Sequence, residues 1–454
     1  MSQRQDNPTR TIAAATLGCK VNTYDTDSLL APFISSGYIV VDFEAVADIY
    51  IINTCAVTNI SSRKSRQMIR RARKSNPAAV VIAAGCYAQT SPDEVGNIEG
   101  ISIVIGTNEA ANIFEIVERY RNEHGLIQHI PKITVGVNPH PTKYNEVSAD
   151  SFSVPQESKT RAYLKVQDGC DNFCSYCIIP YARGRARSRE LASAIAEARE
   201  LAARGYKEVV IAGIHVESYG KDIEGASLPE LLQKLHDIDG IERLRMSSVE
   251  PALVTPEFIA LMHRLPKLAR HLHLSLQSGC DKTLGAMNRR YTAEIYAAAV
   301  AELRRNFPDI AITTDIIVGF PGETYEDFAY SLEFVRHQRF SRLHVFQYSP
   351  KAGTVAADMP NQVSSAVKAE RAQQMIALGE QLANDFAAQF VGKTLDVLYE
   401  SLVDGNIYEG YSDNYITVRA ECSHDIRNSI IPSQISNTER EVAYANLANN
   451  SAIT

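Results

Sequence analysis

The 454-residue chain has no run of 18 or more apolar residues, so no helix in it is expected to span a membrane. Its first ten residues, MSQRQDNPTR, lack the apolar stretch of a secretory signal, and the expected location is the cytoplasm. A surplus of positive charge is missing as well. Lys and Arg number 46 against 53 Asp and Glu, a net charge of -7, so overall charge does not mark a nucleic-acid partner. Disulfides are not expected, since the cytosol reduces them. The eight cysteines therefore raise the question of which ones bind metal.

Hydrophobic residues make up 45% of the chain, enough to fill the cores of several domains. Residues 1–134 carry apolar runs at 11–17, 48–52, 78–84 and 101–105, with polar, helix-compatible stretches between them. Such spacing implies βαβ units and a parallel sheet. Residues 135–160 are polar and proline-bearing and read as a linker. Six further β-like runs, beginning at Arg161, Lys207, Ile241, Arg270, Ile310 and Ser341, alternate with helical stretches. Six repeats are too few for a closed eight-stranded barrel and imply an open one within 161–390, ending in a long helix over 362–390. Residues 391–454 change to short alternating strands with turns, a small terminal β-barrel. The fold class is α/β: a parallel-sheet domain, a partial (β/α)6 barrel and a small β-barrel.

Directly after the first barrel strand comes Cys170-Asp171-Asn172-Phe173-Cys174-Ser175-Tyr176-Cys177. Three thiolates on one loop can hold three irons of a four-iron cluster and leave the fourth open. A structural zinc loop would need a second knuckle, and none follows. This CxxxCxxC loop resembles that of the radical S-adenosylmethionine (SAM) superfamily, with Tyr176 as the aromatic beside the last cysteine. The resemblance implies that SAM occupies the open iron. Gly213, Glu250, Gln277, Asp315 and Gly319, at or near later strand ends, are then the expected SAM contacts, and Arg289 or Arg290 a further candidate for its carboxylate.

Cys19, Cys55 and Cys86 each follow one of the first three expected strands. In a parallel sheet such strand ends share one edge, so three distant cysteines converge, as ligands of a second cluster need to do. Glycines before Cys19 and Cys86 permit tight turns beside a bulky group. Gly18-Cys19-Lys20-Val21-Asn22, Asn53-Thr54-Cys55-Ala56-Val57-Thr58 and Gly85-Cys86-Tyr87-Ala88-Gln89, with the CxxxCxxC loop, resemble the methylthiotransferase family over nearly the whole chain. Its members join a cluster domain, a radical-SAM barrel and a TRAM domain. The resemblance implies two 4Fe–4S clusters, SAM, a tRNA anticodon loop as partner and a reduced flavodoxin- or ferredoxin-type electron donor, in a monomer. The LGCKVN sequence, followed by Asp25 and Asp27, is nearest the branch that places a methylthio group on carbon 2 of threonylcarbamoyladenosine. Isopentenyladenosine in tRNA and an aspartate of a ribosomal protein are the alternatives. A non-catalytic electron carrier or RNA scaffold is the alternative of another class, disfavoured by the open-iron triplet. Cys280 and Cys422 read as ordinary small residues.

Phosphates require Lys and Arg. Seven basic residues and no acidic one lie between Ser61 and Lys74, and four arginines between Arg183 and Arg189. Arg63, Arg66, Arg70, Arg73, Arg183 and Arg185 are the expected RNA contacts, with Arg183 or Arg185 expected to meet the threonylcarbamoyl carboxylate. The last domain departs from this pattern, with nine acidic and four basic residues from Val391 onward, a net charge of -5. It would repel phosphates over much of its surface, leaving Tyr408, Tyr411 and Tyr415 either to stack on bases or to fill the barrel core.

Overall fold

The computed structural model describes residues 10–107, 112–124, 133–137, 143–144 and 160–448. The apolar runs of the first domain become β1 (Thr11–Thr16), β3 (Ile49–Thr54), β4 (Val80–Gly85) and β5 (Ile103–Ile105). Two strands escaped the sequence reading: the two-residue edge strand β2 (Ile39–Val40) and β6 (Ile133–Val135). Neither carries a long enough alternation to stand out from its surroundings. Together they form one parallel sheet ordered β2-β1-β3-β4-β5-β6. Every residue of β3 and β4 is buried, which is why both read as unbroken apolar runs rather than alternating ones. Separate core clusters cover the two faces of the sheet. The expected linker lies mostly outside the described residues; its first residue, Val135, belongs to β6.

The second domain opens with β7 (Arg161–Lys165), followed by the short antiparallel pair β8 (Gln167–Asp168) and β9 (Arg187–Ser188). Its other barrel strands are β10 (Glu208–Ala212), β11 (Arg243–Met246), β12 (His271–His273), β13 (Ala311–Val318) and β14 (Arg342–Gln347). Strands β7, β10 and β11 pair in parallel, as do β12, β13 and β14. Bridges Leu244–Leu268 and Val249–Leu274 join the two halves. The result is six parallel strands, open between β7 and β14. The first domain covers that opening. Helix α1 (Lys20–Ser35) packs on β7, and the start of α2 (Asn59–Ser75) meets the loop after β14, where Asn59 N donates to Ser349 Oγ (3.2 Å). Ile178 and Ala182 of the barrel domain even join the core of the first domain.

After the helix Ser365–Ala388, β15 (Thr394–Asp404), β16 (Ile407–Ser412), β17 (Thr417–Glu421), β18 (Ser429–Glu439) and β19 (Val442–Leu447) close into a barrel ordered β15-β16-β17-β19-β18. The arginines of the larger barrel meet it. Arg243 donates to the carbonyls of Asp396 (2.8 Å) and Tyr411 (3.1 Å), and Arg245 to those of Asp413 (2.9 Å) and Ser412 (3.1 Å). Glu208, fully buried, neutralises both arginines at 3.1 and 2.7 Å. Tyr415 stacks on His271 with ring centroids 4.6 Å apart, and Arg245 lies 4.7 Å from its ring centre. Part of the unexpected acidity is used here too, since Glu400 pairs with Arg161 (2.6 Å) and Glu441 with Arg342 (3.1 Å). Tyr408 belongs to the small barrel's core, while Tyr411 and Tyr415 stack on each other and under Arg161. Tyr408 is thus buried, while Tyr411 and Tyr415 are half-buried and engaged with the larger barrel.

Burial opposes the charge of Glu208, but Arg245 and Arg243 override it and hold the carboxyl down at about 2. Its folded pKa lies below the unfolded one, so its stabilisation is complete above the ordinary carboxylate range and fades as pH falls towards 2. Glu208→Gln, which leaves two buried arginines uncompensated, should cost about 3–5 kcal/mol near neutral pH. Urea unfolding across the acid range should show the gap between the two proteins narrowing as pH falls.

Candidate active site: two cysteine triads at one domain junction

Cys55 and Cys86 stand immediately beyond β3 and β4, and Cys19 three residues beyond the end of β1. Because these strands are neighbours in the order β1-β3-β4, the three thiols reach one edge of the sheet. The two glycines earn their place by space. A Cβ on Gly18 (φ +109°) would lie 3.0 Å from Cys55 Sγ, and one on Gly85 (φ +88°) 2.2 Å from Asn53 Oδ1. Burial pushes the Cys86 thiol up to about 12 against the pull of Arg183, and Cys19 and Cys55 push it further. Three free thiols at one sheet edge form a soft donor set suited to a cationic metal centre.

The second triad sits on the loop after β8. Cys170 N donates to Gly184 O (3.1 Å), Cys177 N to Cys174 O (2.9 Å), and Phe173 takes φ +46° to make the turn. Burial raises the thiols of Cys170 to about 11 and Cys177 to about 12. Arg289 Nη1 donates to Cys174 Sγ (3.3 Å), and its Nη2 lies 2.8 Å from Glu250 Oε1. Glu250 also accepts from Asn172 Nδ2 (2.9 Å), so the expected SAM contact is joined to the cysteine loop. Glu217 accepts from the backbone N of Glu250 (2.8 Å) and lies 2.9 Å from His215 Nε2. His215 and Glu217 escaped the sequence reading, being unremarkable residues just beyond β10. Tyr176 packs with Met287 and Phe320. Gln277 is buried at φ +71° and its N donates to Asp315 O (2.9 Å); the Asp315 side chain faces His273 at 3.4 Å. A Cβ on Gly213 would lie 2.8 Å from Val216 and 3.1 Å from Gln167, and one on Gly319 2.4 Å from Lys368, so packing within the chain already requires glycine at both positions.

One arginine ties the triads together. Arg183 is 0% exposed. Its Nε donates to Cys86 Sγ (3.3 Å), its Nη1 to both carboxylate oxygens of Asp168 (3.0 and 3.1 Å), and its Nη2 to Asn22 Oδ1 (2.6 Å) and Asp25 Oδ2 (2.8 Å). Asn22 and Asp25 lie just after Cys19, and Asp168 two residues before Cys170. Buried Asp168 is held well below the usual carboxylate range by Arg183 and Lys165 despite its burial. The expectation that Arg183 touches RNA is thus corrected: every donor direction points into the protein.

The other basic residues divide. Arg73 is turned inward, donating to Gly100 O (2.7 and 3.0 Å) and Pro77 O (2.6 Å), which removes it from the RNA contacts. Arg66 meets Glu94 (3.1 Å) and Tyr87 Oη (2.9 Å). Arg185 is exposed but paired with Asp171 (2.8 Å). Arg63 and Arg70 point to solvent on α2. Beside α2 opens a groove of about 700 Å³, lined by Ala56, Tyr87 and Ile178, the residues that follow Cys55, Cys86 and Cys177. Residues adjoining both triads therefore line one groove.

Residues 164–335 match the Radical SAM superfamily, and residues 11–106 match the Uncharacterized protein family UPF0004. The Threonylcarbamoyladenosine tRNA methylthiotransferase MtaB of Bacillus subtilis (strain 168) is 41% identical over 430 residues, covering 94% of this chain and 93% of that protein. The MtaB of Aquifex aeolicus (strain VF5) is 38% identical, covering 90% and 96%. A tRNA-2-methylthio-N(6)-dimethylallyladenosine synthase of Thermoanaerobacter sp. (strain X514) is 39% identical, covering 85% and 81%. Among solved structures, the radical SAM methyltransferase TsrM from Kitasatospora setae shares the fold, with a TM-score of 0.56 at 17% identity over 77% of each chain.

If each triad holds one cluster, replacing Cys170, Cys174 and Cys177 by Ala should leave about half of the bound iron, and so should replacing Cys19, Cys55 and Cys86. Iron analysis of anaerobically reconstituted proteins checks this. Full iron in either variant would remove that triad from the metal sites.

Proposed function

The chain belongs to the methylthiotransferase family of radical SAM enzymes, and we propose that it places a methylthio group on carbon 2 of threonylcarbamoyladenosine beside the tRNA anticodon. The observation that carries this reading is the single groove lined by neighbours of both triads. One triad alone would suffice for SAM cleavage; two beside one groove suit a reaction that both activates a carbon and delivers sulfur to it. The similarity to MtaB proteins supports the choice of base.

Carbon 2 of an adenine is neither acidic nor electrophilic enough for substitution by acid–base chemistry. Two 4Fe–4S clusters and SAM, when bound, supply an electron, a carbon radical that removes hydrogen from such a position, and the methylthio sulfur. Cys170, Cys174 and Cys177 would hold one cluster and Cys19, Cys55 and Cys86 the other, three thiolates to each. Glu250, fixed by Asn172 and Arg289, offers a carboxylate for the amino group of SAM. Tyr176, Gln277 and Asp315 are the further SAM contacts in this reading. Arg183 keeps the two cysteine sets in fixed relation. The groove walls exclude water once RNA covers them, which protects a reactive intermediate.

Arg63 and Arg70, with Lys64 on the same helix, are the phosphate contacts in this reading. No helix among the described residues is long and apolar enough to cross a membrane. The enzyme is read as a cytoplasmic monomer taking electrons from a reduced flavodoxin- or ferredoxin-type protein.

Mass spectrometry of tRNA nucleosides from a strain lacking this gene tests the assignment. The methylthio form of threonylcarbamoyladenosine should vanish while that of isopentenyladenosine persists. The opposite pattern would move the enzyme to the isopentenyl branch.

A further inference from the structure

Resting on the assignment of threonylcarbamoyladenosine as substrate, we propose that Lys351 is the specificity residue that binds the carboxylate of its threonylcarbamoyl group. The isopentenyl group of the alternative base is apolar, so a cation in the groove distinguishes the two substrates by chemistry rather than by size.

Lys351 lines the same groove as Ala56, Tyr87 and Ile178. It lies on the loop after β14, and the loop is fixed before any substrate arrives. Asn59 at the head of α2 donates its backbone N to Ser349 Oγ (3.2 Å) and its side chain to Pro350 O (3.3 Å). Behind it, Thr354 N and Oγ1 both donate to Lys351 O, at 3.1 and 2.7 Å. The Lys351 ammonium donates to Ser62 Oγ at 2.9 Å, a neutral partner. Among the described residues no carboxylate pairs with it, while the groove's other cation, Arg66, is matched by Glu94. Cys55 and Glu94 also face this ammonium, but with one neutral hydrogen bond and no direct ion pair among the described residues it retains two donors, which a carboxylate ligand needs.

The two arginines near the SAM loop fail this role for definite reasons. Arg183 is sealed among Asp168, Asp25 and Cys86, and Arg185 lies outside on Asp171. The groove also offers neutral polar groups, Asn59, Ser62 and Thr90 among them, for the hydroxyl and carbonyl of the same group.

The test uses reconstituted holoenzyme and two anticodon stem–loop RNAs, one carrying threonylcarbamoyladenosine and one carrying its carboxylate methyl ester. Wild-type KM should be about ten- to a hundredfold higher for the ester, the loss of one charge-assisted hydrogen bond. Lys351→Met should raise KM for the acid by a similar factor, with a smaller change in kcat, and should no longer separate acid from ester. Lys351→Arg should restore the preference for the acid. Iron content should equal that of the wild type in both variants. If Lys351→Met still prefers the acid as strongly as wild type, or if it loses iron from the Cys55 triad, the proposal is overturned and the substrate assignment stands. If the wild-type enzyme modifies an isopentenyladenosine stem–loop and neither of these RNAs, the assignment and this proposal fall together.

Discussion

The arrangement depends on a guanidinium with no access to water. Arg183 uses all three of its nitrogens on the first domain's Cys86, Asn22 and Asp25 and on the barrel domain's Asp168. A charge so placed is costly unless every partner is in position, and removing any one of them leaves the others buried and uncompensated. That requirement makes the junction between the two domains stiff. The cysteines need such stiffness, since three of them come from strand ends of one domain and three from a loop of the other. Neighbouring contacts reinforce the clamp: Lys165 bridges Asp25 and Asp168, each at 2.7 Å, and Tyr24 donates to Glu197 at 2.9 Å across the same boundary.

The barrel that carries the second triad is incomplete by itself. Six strands leave a side open between β7 and β14, and the first domain closes it with α1 and the head of α2. The small barrel attaches to Arg161, Arg243 and Arg245 through carbonyls, Glu400 and the Tyr411–Tyr415 pair. Its acidic balance is therefore in part an adaptation to a basic neighbour in the same chain. In the proposed reading, phosphate contacts fall instead to the outward arginines of α2, which begins four residues after Cys55.

Much of this was legible in the residue pattern, and the reason is specific. Runs such as IYIINT and VVIAAG are buried on both faces, so they stand out without knowledge of their partners. Cysteines placed at strand ends converge by topology alone. Charge was less readable. Arg63, Arg66, Arg70 and Arg73 look alike in one dimension, yet Arg73 is spent on Gly100 and Pro77 and Arg66 on Glu94, because those partners lie in other elements. Arg183 misled for the same reason, its partners lying up to 161 residues away. Lys351 had no motif at all; only the fold sets it beside Cys55 and Ser62. Gly213 and Gly319 show a further limit, since the neighbours that require their smallness, Val216 and Lys368, are set beside them by the fold.

The central claim is that two cysteine triads perform separable tasks at one groove. It is tested most directly by anaerobic incubation of the Cys19/Cys55/Cys86→Ala protein with SAM, reductant and substrate tRNA, measuring 5′-deoxyadenosine and methylthio nucleoside together. The account predicts continued formation of 5′-deoxyadenosine with no methylthio product. A folded variant that retains the iron of the Cys170 loop yet forms no 5′-deoxyadenosine, or one that still transfers the methylthio group, would contradict it.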